Sequence, residues 1–268
     1  MAITPLRSRR TLHVQGATAP GRPERANEDR WGARGPLAWV IDGASQPAGT
    51  EGALSAADYA RRLGEELSVR ATWESAALPE ILAAAIAAVG TADAPGPGPA
   101  ATVAMLRSRG EELEWLVLGD AGCAVPDEMG QPRVIIDDRL ARVAVAQRQA
   151  RRRARREGAE PQVLAELSQR LYRAELAARN TDGGYWVAAD LPEAAEYALT
   201  GIAEHGPALL FTDGMSAQVG PGARWVSWAQ AWRDWRAHPP RQAVAEAQAA
   251  ARSQSSSTVD DATLLLAS

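Results

Sequence analysis

The sequence predicts an α+β domain built on antiparallel sheet, and three observations carry that prediction. Short apolar runs of strand character come in groups joined by tight turns, as in Thr102-Val103-Ala104-Met105-Leu106 and Glu114-Trp115-Leu116-Val117-Leu118 around Arg109-Gly110. Helix-period segments sit between these groups rather than after every strand, which disfavours a regular βαβ winding. No glycine-rich nucleotide-binding motif follows any strand. At 268 residues, of which 46% are hydrophobic, the chain can bury a full core, and it reads as one domain over 1–268.

Taken in order, Leu12-His13-Val14-Gln15 alternates as a first strand, and a loop rich in Gly, Pro and Arg follows with Arg22 and Arg25. Asn27-Glu28-Asp29-Arg30-Trp31-Gly32 closes a local element. Leu37-Ala38-Trp39-Val40-Ile41 then reads as a buried strand stopped at Asp42-Gly43, so the Asp42 carboxylate has a rigid base. A helix over about 51–69 sets Ala53, Ala56, Ala60, Leu63 and Leu67 on one face. A second carries Leu78, Ile81, Leu82, Ile86 and Val89 and ends near Gly90, ahead of a Pro/Gly-rich stretch at 95–99.

After the paired strands, Gly119-Asp120-Ala121-Gly122 breaks the chain before Cys123-Ala124-Val125, and Arg133-Val134-Ile135-Ile136 is a further strand. Residues 139–179 are helix-forming with a break at 158–161. Their basic cluster, Arg151, Arg152, Arg153, Arg155 and Arg156, reads as a solvated face, with a docking surface for an acidic partner as the alternative. Asn180-Thr181-Asp182-Gly183-Gly184 is a turn and Tyr185-Trp186-Val187 a strand start. Ala208-Leu209-Leu210-Phe211-Thr212-Asp213-Gly214 repeats the pattern of a strand stopped by Asp-Gly. Trp225, Trp228, Trp232 and Trp235 form one stripe of a short helix and read as core against a sheet. A helix near 242–252 and a flexible 253–257 lead to Asp260-Asp261, which opens a last apolar strand, Ala262–Ala267.

The net charge of −4 gives no drive towards nucleic acid or anionic membrane, so partners must be argued locally. Cys123 is the only cysteine, which rules out an intrachain disulfide and fits a reducing cytosol. No run of about 18 apolar residues occurs, and the expectation is a soluble, cytoplasmic protein. Every basic residue other than histidine is arginine, whose fork suits phosphate. His13, His205 and His238 are scattered, and Cys123 sits in a small apolar strand with no His or Arg beside it to lower its pKa.

The recurring aspartates carry the chemistry. Hard divalent cations take oxygen ligands, and Mg²⁺ is usually held by a few carboxylates while it keeps several waters. In order, the series Asn-Glu-Asp, Val-Ile-Asp-Gly, Ala-Ala-Thr-Val-Ala, Leu-Gly-Asp-Ala, Phe-Thr-Asp-Gly and Asp-Asp-Ala-Thr-Leu-Leu-Leu resembles the metal-dependent type 2C protein phosphatases, the PPM family, in its compact bacterial form. The resemblance spans about residues 12–267.

The resemblance implies a four-layer αββα sandwich of two antiparallel sheets flanked by helices, with a binuclear Mn²⁺ or Mg²⁺ centre at one edge. Carried over by motif, Asp29, Asp42, Asp213 and Asp260 are the catalytic metal ligands. Asp42 bridges both ions, with the Gly43 carbonyl as a further ligand. Asp120, with Asp213, would hold a weaker third ion, and Thr102 is structural or close to the metals. Asp261 stands where the family usually has asparagine. The implied activity is hydrolysis of phosphorylated Ser/Thr proteins by metal-activated water, with no covalent phosphoenzyme. A non-catalytic phosphoprotein-binding module on the same fold is the alternative.

Three departures from the family pattern matter. The usual phosphate-binding arginine position holds Glu24, leaving Arg25 and Arg22 as the nearby candidates. Ala44 and Ser45 follow Asp42-Gly43 where many eukaryotic members have a histidine. The segment at about 137–182, where members carry a flap, is here long, helical and arginine-rich.

Overall fold

The structure, a computed structural model, describes residues 11–46, 54–90, 98–254 and 259–268. The first half runs β1 (Val14–Ala19), β2 (Arg30–Arg34), β3 (Leu37–Gly43), α1 (Ala56–Arg70), α2 (Leu78–Val89), β4 (Ala101–Arg109), β5 (Glu112–Leu118), β6 (Gly122–Pro126) and β7 (Pro132–Ile136). Three helices follow, α3 (Arg139–Arg142), α4 (Val145–Arg156) and α5 (Pro161–Ala178). After a 3₁₀ turn at Pro192–Tyr197 come β8 (Leu199–Glu204), β9 (Ala208–Phe211), α6 (Asp213–Ser216), α7 (Trp228–Ala237), α8 (Pro240–Gln254) and β10 (Ala262–Ala267).

The strands form two five-stranded sheets, ordered β1-β10-β9-β6-β7 and β2-β3-β4-β5-β8. Every pairing within them is antiparallel. Side-chain alternation builds the layers. In β3, Trp39 and Ile41 point into an apolar cluster with Leu63 and Leu67 of α1 and Ile81 and Leu82 of α2. Val40, between them, points the other way into a cluster with Leu106, Val117, Val125, Leu210 and Leu265 that joins the two sheets. In β10, Leu264 faces a third cluster with Trp235 of α7 and Val244 of α8. Three apolar interfaces in succession make four layers, α, β, β, α, as the resemblance implied.

Local signals explain the element ends. Ser55 caps α1, its hydroxyl accepting the Asp58 N–H at 3.1 Å, an arrangement worth about 1 kcal/mol. Gly90 ends α2 in the left-handed conformation with φ 67°. The segment between β7 and the 3₁₀ turn lies outside the sheets. Its α4 and α5 are joined through Gly158, at φ 71°, and Pro161, and are tied by Arg148–Glu175 at 2.6 Å.

The structure corrects several sequence expectations. The first helix starts at Ala56 rather than near 51, while residues 51–53 and 95–97 lie outside the described residues. Tyr185-Trp186-Val187 starts no strand; Trp186 stacks on Tyr197 with centroids 3.5 Å apart. Its backbone meets the sheet only where Ala101 and Ala188 exchange hydrogen bonds at 2.8 and 2.9 Å. Trp225 precedes α7 rather than lying on it. It still packs edge-on against Trp235 at 5.2 Å, and Trp225, Trp232 and Trp235 are all buried, as the core reading required. β8 was not anticipated. It is an edge strand with Leu199 and Ile202 exposed, so no alternation marks it.

Candidate metal centre

Antiparallel order explains why aspartates far apart in sequence meet. In one sheet β10, β9 and β6 are neighbours, so the start of β10, the end of β9 and the start of β6 share an edge. Asp260, Asp213 and Asp120 occupy those three places. In the other sheet the end of β3 lies beside the start of β2 and the start of β4. Asp42 and Asp29 occupy two of those places, and Thr102 pairs directly with Asp42 across the strands. The same edge of both sheets therefore carries all five carboxylates predicted from sequence.

Asp42, Asp120, Asp213 and Asp260, with Gly43, line one cavity of about 310 Å³. Asp29 lies beneath it, buried, with Oδ2 accepting from the hydroxyls of Thr212 and Thr263, both at 2.7 Å. Asp42 and Asp213 keep a face on the cavity while protein crowds every other side, and that crowding governs their ionisation. Burial pushes both carboxyls well above the usual range. Repulsion from Asp213 adds to the rise at Asp42, and repulsion from Asp260 and Asp120 adds at Asp213. Asp120 and Asp260 are raised in the same direction, first by burial. Asp29 is pushed up to about 7 by burial, with its two threonine hydrogen bonds acting against the rise.

Glycines let these segments approach. A Cβ on Gly214 would lie 2.0 Å from the Asp261 carbonyl oxygen, and one on Gly43 would lie 2.8 Å from the Glu28 carbonyl oxygen. The Asp-Gly pairs are thus close crossings as well as strand ends. Thr102 acts on the backbone: its hydroxyl accepts the Ala121 N–H at 3.1 Å and fixes the turn that carries Asp120.

Asp261 has a role that sequence reasoning missed. Its Oδ1 accepts the Gly21 N–H at 2.7 Å and its Oδ2 the Glu28 N–H at 2.6 Å, pinning both ends of the loop that bears Arg22 and Arg25 to the last strand. A carboxylate can accept at both oxygens, where an asparagine could accept at only one. No spacing rule in the sequence signals a contact across more than two hundred residues.

Arg22, Arg25 and Arg151 line a second cavity, of about 380 Å³, together with Asp260 and Ser45. Arg151, Ser45 and Asp260 also line the first, so the two cavities adjoin across these residues. Arg151 belongs to the basic cluster read as solvated. The structure divides that cluster: Arg152, Arg153 and Arg156 are exposed, while Arg151 and Arg155 are half-buried. No histidine lines either cavity. Ser45, at the position after Ala44, donates its hydroxyl to Glu28 Oε2. Cys123 is buried between the sheets and its thiol is pushed far up by burial, which excludes it as a nucleophile.

The donor set fits hard cations. Among the described residues no ion pair within 4 Å engages Asp29, Asp42, Asp120, Asp213 or Asp260; Arg148 and Arg25 act on Asp120 and Asp260 only from a distance, against the rise that burial causes. No three His, Cys, Asp or Glu side chains among the described residues are gathered closely enough to hold an ion as they stand. The fit rests on donor chemistry: carboxylate and carbonyl oxygens are the ligands that hard divalent cations take.

No family sequence model matches the chain, and no curated protein matches it in sequence. Solved structures match it in fold. The serine/threonine phosphatase Stp1 from Staphylococcus aureus gives a TM-score of 0.59 at 15% identity, over 100% of this chain and 99% of that one. The Mycobacterium tuberculosis serine/threonine phosphatase PstP/Ppp gives 0.56 at 16% identity, over 96% of this chain and 98% of its own. The catalytic domain of PstP in complex with 2 manganese ions gives 0.55 at 16% identity, over 96% and 97%. The fold is therefore that of the metal-dependent phosphatases. More narrowly, it is the fold of the PPM Ser/Thr phosphatases, a group that also includes the similar MsPP from Mycobacterium smegmatis.

Proposed function

We propose that this chain is a metal-dependent phosphatase of phosphorylated Ser/Thr proteins, built as a single domain over 1–268 with residues 137–182 as its flap. The observation that carries the reading is the meeting of five aspartates from five separate segments at the shared edge of the two sheets, with no ion pair to any of them among the described residues. Asp29, Asp42, Asp213 and Asp260 are assigned as ligands of two Mn²⁺ or Mg²⁺ ions, joined by the Gly43 carbonyl, and Asp120 with Asp213 as a weaker third site. The manganese pair in PstP supports the choice of metal. When bound, such ions activate water for in-line attack on phosphorus and neutralise phosphoryl oxygens.

The chain's own groups do the rest. Thr212 and Thr263 both donate to Oδ2 of Asp29 and fix the orientation of its carboxylate. The Asp213 N–H holds Asp42 Oδ2 and fixes the pair across the two sheets. Arg25 and Arg22, on the loop fixed by Asp261, orient the phosphoryl group through bidentate contacts. With no histidine in the cavity, the leaving alkoxide takes its proton from water. Cytoplasmic action is part of the proposal. The unpaired, buried Cys123 suits a reducing compartment, and among the described residues no helix is long and apolar enough to cross a membrane.

The test is phosphate release from a phosphothreonine peptide with Mn²⁺ added and then chelated, beside Asp42→Ala. Release that needs Mn²⁺ and is lost in the variant supports the proposal. Calorimetric Mn²⁺ binding with no release from any phosphopeptide would make the chain a phosphoprotein-binding module on the phosphatase fold instead.

A further inference from the structure

A third cavity, of about 140 Å³, lies on the flap beside the metal site, and arginine dominates its wall. It is lined by Arg148, Arg151, Arg152 and Arg155 of α4 and by Leu171 of α5, with no carboxylate among them. Arg148, Arg151 and Arg155 recur at three- and four-residue spacing, so they share the face of α4 that looks across to Leu171. Arg148 is balanced by Glu175 at 2.6 Å, but Glu175 lines the metal-site cavity and not this one. Arg151 lines all three cavities, which sets the arginine groove next to the place where the phosphoryl group would sit.

With Arg148 paired to Glu175, the crowding of like charge in this space falls on Arg151 and its neighbours. Burial, then the neighbouring Arg155, Arg148 and Arg152, hold Arg151 below its ordinary pKa, with Glu175 acting the other way. A helix would gain nothing from this crowding by itself, since like charges at such spacing destabilise it. An anion in the groove removes the repulsion, and guanidinium forks match carboxylate and phosphate oxygens in pairs.

Resting on the phosphatase reading, we propose that this groove selects the substrate by binding acidic side chains that flank the phosphorylated residue. From Arg148 to Arg155 the helix advances about 10 Å, which about three residues of extended peptide would span. The favoured substrate class is therefore a phosphopeptide with carboxylates, or a second phosphate, within about three residues of the phosphate to be removed. The chain's net charge of −4 argues against a general polyanion surface.

The experiment measures binding apart from turnover. Fluorescein-labelled phosphothreonine peptides carrying glutamates on both flanks, the same peptide with glutamines, and one with a flanking phosphoserine are titrated into metal-free protein and followed by anisotropy. The expected result is at least about tenfold tighter binding of the glutamate and phosphoserine peptides than of the glutamine peptide, or about 1.4 kcal/mol. Comparing the glutamate and phosphoserine arms identifies which anion is preferred. In Arg152→Gln/Arg155→Gln, which keeps good helix formers in α4, that ratio should fall to about one. Equal binding of all peptides by the wild-type chain, or an unchanged ratio in the variant, overturns the proposal. So does an oligonucleotide that binds as tightly as the acidic peptide. Loss of Mn²⁺-dependent phosphate release from every peptide would refute the phosphatase reading alone, since the binding ratio is read without metal.

Discussion

The backbone N–H of Asp213 donates to Oδ2 of Asp42 at 3.4 Å, joining residues 171 positions apart in the chain. One belongs to the end of β3 and the other follows β9, so this contact crosses from one sheet to the other at their shared edge. It also holds two acidic side chains closer than their charges favour. Folding supplies the restraint, and a cation would supply the compensation.

Removing either charge should therefore separate activity from stability. In Asp42→Asn or Asp213→Asn, metal-dependent phosphate release should fall at least about a hundredfold, while the metal-free variant melts higher than the metal-free wild type. Melting curves with chelator and with Mn²⁺ check this. Wild-type stability should rise on adding Mn²⁺, and the variants should gain much less. Variants that melt lower without metal and still respond to Mn²⁺ would show that the two side chains are structural rather than ligating.

Asp29 gives a pH dependence with a definite sign. Its carboxyl, at 3.8 in an ordinary setting, is pushed up to about 7 in the fold. The stability this contributes is fully present below about pH 4, where both states hold the proton, and is lost as pH rises through about 7, because only the unfolded chain ionises freely in between. Urea midpoints of chelated protein should drop from about pH 5 to about pH 7.5, and Asp29→Asn should flatten the drop. Excess Mn²⁺ should flatten it as well, since a bound cation keeps the carboxylate charged. A slope identical in wild type and Asp29→Asn would rule out the buried carboxyl as its source.

Much of this site was legible in the sequence because its chemistry coincides with local punctuation. Asp42 and Asp213 each end an apolar run and precede glycine, and Asp260 opens one, so strand pattern and ligand pattern coincide. What stayed hidden depends on contacts between distant segments or on exposure. β8 lies at a sheet edge with Ile202 turned to solvent, and without alternation it resembles loop. Arg151 and Arg152 are adjacent and alike in sequence, yet Arg151 is half-buried and lines the metal-site cavity while the more exposed Arg152 reaches only the arginine groove, a difference set by how α4 packs on α5. Trp225 fits the helical spacing of Trp228, Trp232 and Trp235 by coincidence, since Ser227 caps the helix two residues later.

Asp261 is expected to position the arginine loop rather than to bind metal. In Asp261→Ala the amides of Gly21 and Glu28 both lose their acceptor, at a cost of about 2 kcal/mol. Limited proteolysis should then cut near Arg22 and Arg25 faster than in the wild type, and KM for phosphopeptide should rise more than kcat falls. Unchanged cleavage there would show that other contacts hold the loop.

Gly214 tests the closeness of the crossing. Its missing Cβ leaves room for the Asp261 carbonyl oxygen, which a methyl group would meet at 2.0 Å. Gly214→Ala must push β10 and the Asp213 turn apart, at a cost of about 1–3 kcal/mol, and it should weaken Mn²⁺ affinity by displacing Asp213 from Asp42. Gly130→Ala, where no atom lies within 4 Å but φ is 72°, serves as the control for backbone strain alone. It should lower stability and leave metal affinity unchanged, as measured by calorimetry.

The tryptophans supply the last prediction, because core and interface readings of them differ in outcome. Trp235 is fully buried, with Trp225, Phe211 and Trp228 around it at centroid distances of 5.2, 5.6 and 6.0 Å. Truncating it would leave a large cavity between α7, α8 and the sheet carrying β9, costing about 3–5 kcal/mol. Trp235→Ala should therefore shift the urea midpoint strongly, while Trp235→Phe recovers much of the loss by refilling the space. A partner-binding tryptophan would behave otherwise: its removal would barely move the midpoint, and the purified chain would become more soluble. The sheet fixes the choice, since Phe211 of β9 sits against this cluster only two residues before Asp213. Loosening Trp235 should thus also lower Mn²⁺ affinity, and a destabilised variant with unchanged metal binding would show that the tryptophan cluster and the metal edge are mechanically separate.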